Sequence, residues 1–122
     1  MTDHQLPFEK LRVWHLAKDL TKNIYSITRN FPADERFGLI NQINRAAVSV
    51  ISNIAEGSGR TSRKDQAHFS QLAYSSLLEV ACQLQLAQEL GYFKQEVFQD
   101  VRKHIHEVSA MLNALRNSQL RR

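Results

Sequence analysis

Apolar residues in this chain recur at alternating three- and four-residue steps over four separate segments, the spacing that lines one face of a helix. The cleanest is Phe98, Val101, Ile105, Val108, Leu112 and Leu115. Val13, Ala17, Leu20, Ile24 and Ile27 form a second seam, and Ile40, Ile43, Ala47, Val50, Ile51 and Ile54 a third. Phe69, Leu72, Ala73, Ser76, Val80, Leu84 and Ala87 form a fourth, whose small Ala73 and Ser76 would let a neighbouring helix approach closely. Only two prolines and four glycines interrupt the chain, and they fall between these segments or near their ends. Helices are expected at about 9–29, 33–56, 62–90 and 95–117. Joined by short corners, they predict a single all-α domain over 1–122, an antiparallel up-down-up-down four-helix bundle.

The punctuation between segments is specific. Pro32 disfavours helical geometry at Phe31, and Asp34 and Glu35 would then sit in the first turn of the second helix, opposing its positive end. Gly38 falls inside that helix as a tolerated but costly residue. Gly57 and Gly59 read as its stop signal, supplying backbone freedom at a corner. Ser62 with Asp65 three residues on resembles a capping box for the third helix. Gly91 is placed to take the left-handed cap after Leu90, with Tyr92 folding back on the last turn. Residues 1–8 read as a mobile polar lead, and Ser118–Arg122 as a fraying end. Trp14 and Tyr25 flank the first seam, at a wider core face or a contact between subunits.

Composition narrows the function classes. Hydrophobic residues make up 43% and charged residues 23%, ordinary for a folded domain. The net charge of +4 and a pI near 9.5 favour an acidic partner, because a basic surface gains by displacing counterions from phosphates. The single Cys82 cannot form an internal disulfide, and its place in an apolar helical run predicts a packed, reduced thiol. No apolar run approaches the roughly 20 residues that span a bilayer, and Met1–Gln5 does not open a secretory signal. A cytoplasmic protein is expected, with no membrane partner.

One set of residues carries a family resemblance. Leu11-Arg12-Val13-Trp14, Phe31-Pro32, Glu35-Arg36-Phe37-Gly38-Leu39, Asn53-Ile54-Ala55-Glu56-Gly57 and Leu90-Gly91-Tyr92 occur in an order and spacing that cover almost the whole chain. With Arg45–Arg60, Ser76-Leu77-Leu78-Glu79 and Gln83-Leu84, they resemble the bacterial four-helix-bundle proteins encoded in intervening sequences of 23S ribosomal RNA genes. That family looks related to the accessory variability protein of diversity-generating retroelements. The resemblance implies a homo-oligomeric bundle, a pentameric ring, and in the retroelement relatives a basic adaptor that binds a reverse transcriptase and nucleic acid.

Constellations that could carry chemistry are sparse. Arg45, Asn53, Glu56 and Glu79 suggest a polar network between the second and third helices, with Arg45, Ser49 and Glu79 level; a structural role in fixing register is preferred over a catalytic carboxylate. Metal centres in bundles use paired Glu-x-x-His motifs, and this chain has none. Asp65 with His68, and Asp100 with His104, are lone pairs, while His104 and His106 face different directions on a helix. No metal or cofactor is expected. Cys82 lacks an activating signature, and Gly57-Ser58-Gly59-Arg60 lacks the preceding strand and the Gly-Lys-Thr/Ser of a phosphate loop. No enzyme is expected.

Topology supplies the strongest expectation. In an up-down-up-down bundle the N-terminus, the second corner and the C-terminus share one pole. It would gather Lys10, Arg12, Arg60, Arg63, Lys64, Arg116, Arg121 and Arg122 against Asp3, Glu9, Glu56 and Asp65, an excess of four positive charges, equal to that of the whole chain. The expected function is a non-enzymatic oligomeric adaptor binding RNA, DNA or a ribonucleoprotein at this basic pole. The alternative is a protein–protein scaffold with no nucleic-acid role. Beyond Phe8, no aromatic residue for stacking on bases is evident there, which predicts binding driven by shape and charge.

Overall fold

The computed structural model describes residues 4–121, and four helices carry them: α1 (Arg12–Thr28), α2 (Leu39–Ser58), α3 (Arg63–Glu89) and α4 (Gln95–Leu120). No strand occurs among the described residues. α1 packs on α2, α2 on α3, α3 on α4 and α4 on α1, so the helices close around one core. Along α2 and α3, Gln42 meets Gln83, Ser49 meets Ser76 and Gly57 meets Phe69. One residue number rises as the other falls, so these two helices run in opposite directions.

Every member of the expected α1 seam is buried, as are Phe98, Val101, Ile105, Val108 and Leu112 on α4. On α2 the buried set is Ile43, Ala46, Ala47, Val50, Ile54 and Gly57, with Ile40 and Ile51 packed half-buried against it. On α3, Ala73, Val80, Leu84 and Ala87 are buried as expected, but the stripe is not the whole core face. Ser70 and Leu77 point inward, while Leu72 is 37% exposed and faces out. Apolar residues lie on both sides of this helix, so periodicity marks two faces and only the neighbouring helices choose between them. Cys82 belongs to the outer face and is exposed, contrary to the packed thiol expected.

The helix ends also correct the sequence reading. α1 starts at Arg12, because Pro7–Lys10 forms a 3₁₀ turn in which the Glu9 carboxylate accepts the Leu6 N–H at 2.7 Å. After Pro32 the chain makes a 3₁₀ turn at Ala33–Glu35, and α2 begins only at Leu39 with Gly38 at its N-cap. The Glu35 carboxylate holds that start by accepting the Leu39 N–H at 3.0 Å, filling one of the orphan donors of a helix N-terminus. Helix α2 then continues through Gly57 to Ser58. Gly57 is no stop signal. It is buried inside the helix, where a Cβ would lie 2.8 Å from the Phe69 Cβ, so its missing side chain lets α3 approach.

Two caps follow expectation. Ser62 Oγ accepts the Asp65 N–H at 3.0 Å at the start of α3. Gly91 has φ +82°, and the N–H groups of Gly91 and Tyr92 return to the carbonyls of Gln88 and Ala87, closing the end of α3. The Tyr92 side chain does not fold back but crosses to the α1–α2 connection, where it donates to Glu35 at 2.7 Å and packs on Phe31. Phe31 also stacks on Phe93, joining the two connections at this end of the bundle.

Candidate nucleic-acid interface

At the opposite end, three separated stretches meet. Pro7 and Leu11 from the N-terminal turn, Ser58 and Arg63 from the α2–α3 corner, and Leu115, Ser118 and Gln119 from α4 line one cleft. Hydrogen bonds fasten it. Arg63 Nη1 donates to the Ser118 carbonyl at 2.9 Å, placing a cation at the negative end of α4. Ser70 donates to the Gln119 amide oxygen at 2.7 Å. Gln66 Nε2 donates to the Arg60 carbonyl at 2.9 Å, bracing the corner. These contacts explain why α4 continues to Leu120 where fraying is expected from sequence: its last turn is tied to α3.

Lys10, Arg12, Arg60, Arg63, Lys64 and Arg121 are all exposed. Lys10 lies in the N-terminal turn, Arg12 opens α1 and Arg121 caps α4. Arg60 pairs with Glu56 at 3.1 Å, the one ion pair found among the described residues. Its guanidinium also lies 4.6 Å from the centre of the Phe69 ring. Arg116 stands apart: it is half-buried, donates to Gln71 across the α3–α4 seam, and its Nε is buried without a partner. Asp3 and Arg122 lie outside the described residues.

Aromatic side chains are more plentiful here than the sequence suggests. The Trp14 ring packs 4.6 Å from Phe8, with Lys18 Nζ 5.2 Å above its centre. Phe69 sits beneath Arg60. Linear sequence places Phe69 nine residues beyond Arg60, which lies in the corner while Phe69 is inside α3, so only the folded corner joins them. Gln66 and Gln119 carry no sequence signal, and the cleft alone singles them out.

The polar residues of α2 and α3 form short local links. Ser49 Oγ and Ser76 Oγ are 2.9 Å apart, and Asn53 Nδ2 donates to the carbonyl and hydroxyl of Ser49 at 2.9 and 3.0 Å. Gln83 Nε2 joins Glu79 and Gln42, each at 3.2 Å, across the same seam. Arg45, Ser49 and Glu79 do line one open groove of about 380 Å³. Among the described residues, however, no hydrogen bond connects Arg45, Asn53, Glu56 and Glu79 to one another. Glu56 turns to Arg60 instead, and Asn53 is satisfied within its own helix by Ser49.

At the far end, Glu35 is held below the usual carboxylate range by the Leu39 N–H first and the Tyr92 hydroxyl second. The same carboxylate pushes the Tyr92 hydroxyl above its ordinary value. This pair braces two connections and faces no cleft of the basic pole. No group of three or more His, Cys, Asp or Glu side chains among the described residues is gathered so as to hold a metal. No helix among them is long and apolar enough to cross a membrane.

Fold and surface together define a small basic four-helix bundle with a cleft at its charged end. The chain belongs to the 23S rRNA-intervening sequence protein family, whose family model matches residues 9–114. It is similar in structure to a protein of unknown function from the S23 ribosomal protein family of Bacteroides thetaiotaomicron VPI-5482, at 20% identity and a TM-score of 0.79. That likeness covers 86% of this chain and 95% of the other and shows the shared fold. A comparison with curated proteins finds no match.

Proposed function

We propose that this protein is a non-enzymatic, homo-oligomeric adaptor that binds RNA, DNA or a ribonucleoprotein through its basic pole. The convergence of the N-terminal turn, the α2–α3 corner and the α4 end, with Arg63 bonded across to Ser118, is the observation that carries the reading. Exposed Lys10, Arg12, Arg63 and Lys64 have no carboxylate within ion-pair reach among the described residues, so their charge is available to phosphates. Repetition of the patch in an oligomer, such as the pentamer implied by the family resemblance, would raise its effective affinity without new contacts. A reverse transcriptase is the protein partner that the same resemblance suggests.

The test is a titration of structured RNA and duplex DNA at two salt concentrations, with the oligomer's mass measured on the same sample. Binding should weaken with salt, and removing one cation that meets a phosphate should flatten the log–log slope by about 0.9 on duplex DNA. Charge reversal of Arg60, Arg63 and Lys64 together should abolish binding, and reversal of exposed Lys64 alone should weaken it with the melting temperature nearly unchanged. No binding by the natural protein at low salt would refute the reading.

A second reading, a protein–protein scaffold, draws on the outer face of α3. Leu72, Leu78, Leu86 and Leu90 are all exposed there. A scaffold would ignore the charge reversals and lose its partner when these leucines are made polar.

A further inference from the structure

We infer that the cleft at the basic pole receives a single unpaired base of a nucleic-acid strand, which makes the protein a reader of single-stranded segments and strand ends. The inference rests on the nucleic-acid reading above and sharpens it.

Size, chemistry and electrostatics agree. The cleft measures about 270 Å³. Pockets for drug-sized ligands run from roughly 300 to 1,000 Å³, so this open cleft has room for a ligand no larger than a single base. Its apolar walls are Pro7, Leu11 and Leu115, from two elements far apart in sequence. Its polar lining is Ser58, Arg63, Ser118 and two amides, Gln66 and Gln119, each of which is engaged at one end. Gln66 has spent its Nε2 on the Arg60 carbonyl and keeps its amide oxygen as an acceptor. Gln119 has spent its oxygen on Ser70 and keeps its Nε2 as a donor. An acceptor and a donor among the lining residues are the two groups that a base edge, with its own donor and acceptor, would call on. A base stacked and paired in a duplex cannot enter a cleft, and its Watson–Crick edge is occupied by the partner strand, so a single strand or a splayed base is required. Arg63 lines the cleft and bonds across it to Ser118, and exposed Arg60 and Lys64 are its near neighbours in the chain, a supply of charge for the phosphates of a bound strand.

The experiment compares ten-nucleotide single strands of RNA and DNA with blunt duplexes of the same length, by fluorescence anisotropy at one low salt concentration. The natural protein should bind single strands more tightly per phosphate. Ser118→Trp alters an exposed residue of the cleft rim and would fill the cleft. It should lower single-strand affinity by about tenfold and leave duplex affinity within about twofold. With Ser70→Ala as the control for the Ser70 bond that is also lost, Gln119→Met removes the free donor with little change in volume. It should cost single strands roughly fivefold, the worth of one neutral hydrogen bond. Equal losses for both forms of nucleic acid, or no loss for either, would overturn the base-binding cleft while leaving the basic pole intact. Failure of the natural protein to bind either form would overturn both.

Discussion

Substituting Gly57 by alanine tests the close approach of α2 and α3 at Phe69, and the competing accounts of this glycine predict opposite signs. A glycine that merely supplies backbone freedom in a helical conformation is a liability, and Gly57→Ala would stabilise by about 0.8–1.0 kcal/mol. The structure gives it a different task. The new Cβ would lie 2.8 Å from the Phe69 Cβ and 3.5 Å from the Gln66 carbonyl oxygen. Unstrained carbon contacts sit at about 3.5–4.0 Å, so α2 and α3 must part locally by the better part of an ångström. Overpacking of this kind typically costs about 1–3 kcal/mol, which outweighs the gain in helix propensity and leaves a net loss centred near 1 kcal/mol. For a chain of this length that is a fall of about 3–5 °C in melting temperature. Thermal and urea unfolding of the natural protein, Gly57→Ala, Phe69→Gly and the double variant would isolate the contact. With Phe69→Gly in place the clash is removed, so Gly57→Ala should become neutral or stabilising, a coupling of about 1–2 kcal/mol. A Gly57→Ala protein melting at or above the natural one would refute the close-packing account.

Other perturbations discriminate among the remaining caps and clasps. Gly91→Ala should destabilise by about 1–2 kcal/mol through its φ of +82° alone, since no atom lies within 4 Å of the added Cβ. Gly59→Ala, at φ −95°, should be neutral or slightly stabilising in the same melts. Ser62→Ala should cost about 1 kcal/mol by releasing the Asp65 N–H at the start of α3. The Glu35–Tyr92 clasp gives a pH signature. Because the folded state depresses the Glu35 carboxyl, its contribution is fully present above the ordinary value of about 4.3 and disappears as pH falls through the lower folded value. The Tyr92 hydroxyl is raised, so its contribution is present below about pH 10 and disappears as pH rises through the higher folded value. The stability gap between the natural protein and Tyr92→Phe, followed by urea unfolding across pH, should therefore be widest near neutrality and shrink at both extremes. A gap independent of pH would refute the clasp.

The sequence alone determined that four helices form and which residues of α1, α2 and α4 face the core, because one apolar stripe per helix leaves one way to bury it. It also determined the caps at Ser62 and Gly91, where a local hydrogen bond or a single positive φ selects the residue. The tertiary structure decided the rest. Leu72, Leu77 and Cys82 lie on a helix with apolar residues on both sides, and only packing against α2 and α4 turned Leu77 inward and the other two out. Gly57 reads as a terminator because nothing local distinguishes a stop from a close contact; Phe69, twelve residues on, makes the difference. The charges proposed to form a basic pole could be listed from topology, but that Arg116 is half-buried in the α3–α4 seam could not. The cleft was not legible either, because Gln66, Gln119 and Leu115 acquire meaning only when α4 is pinned to α3 through Arg63 and Ser70. Periodicity is a one-dimensional signal and fixes each helix's own face; a site shared by three segments depends on the register between helices, which only the packed core sets.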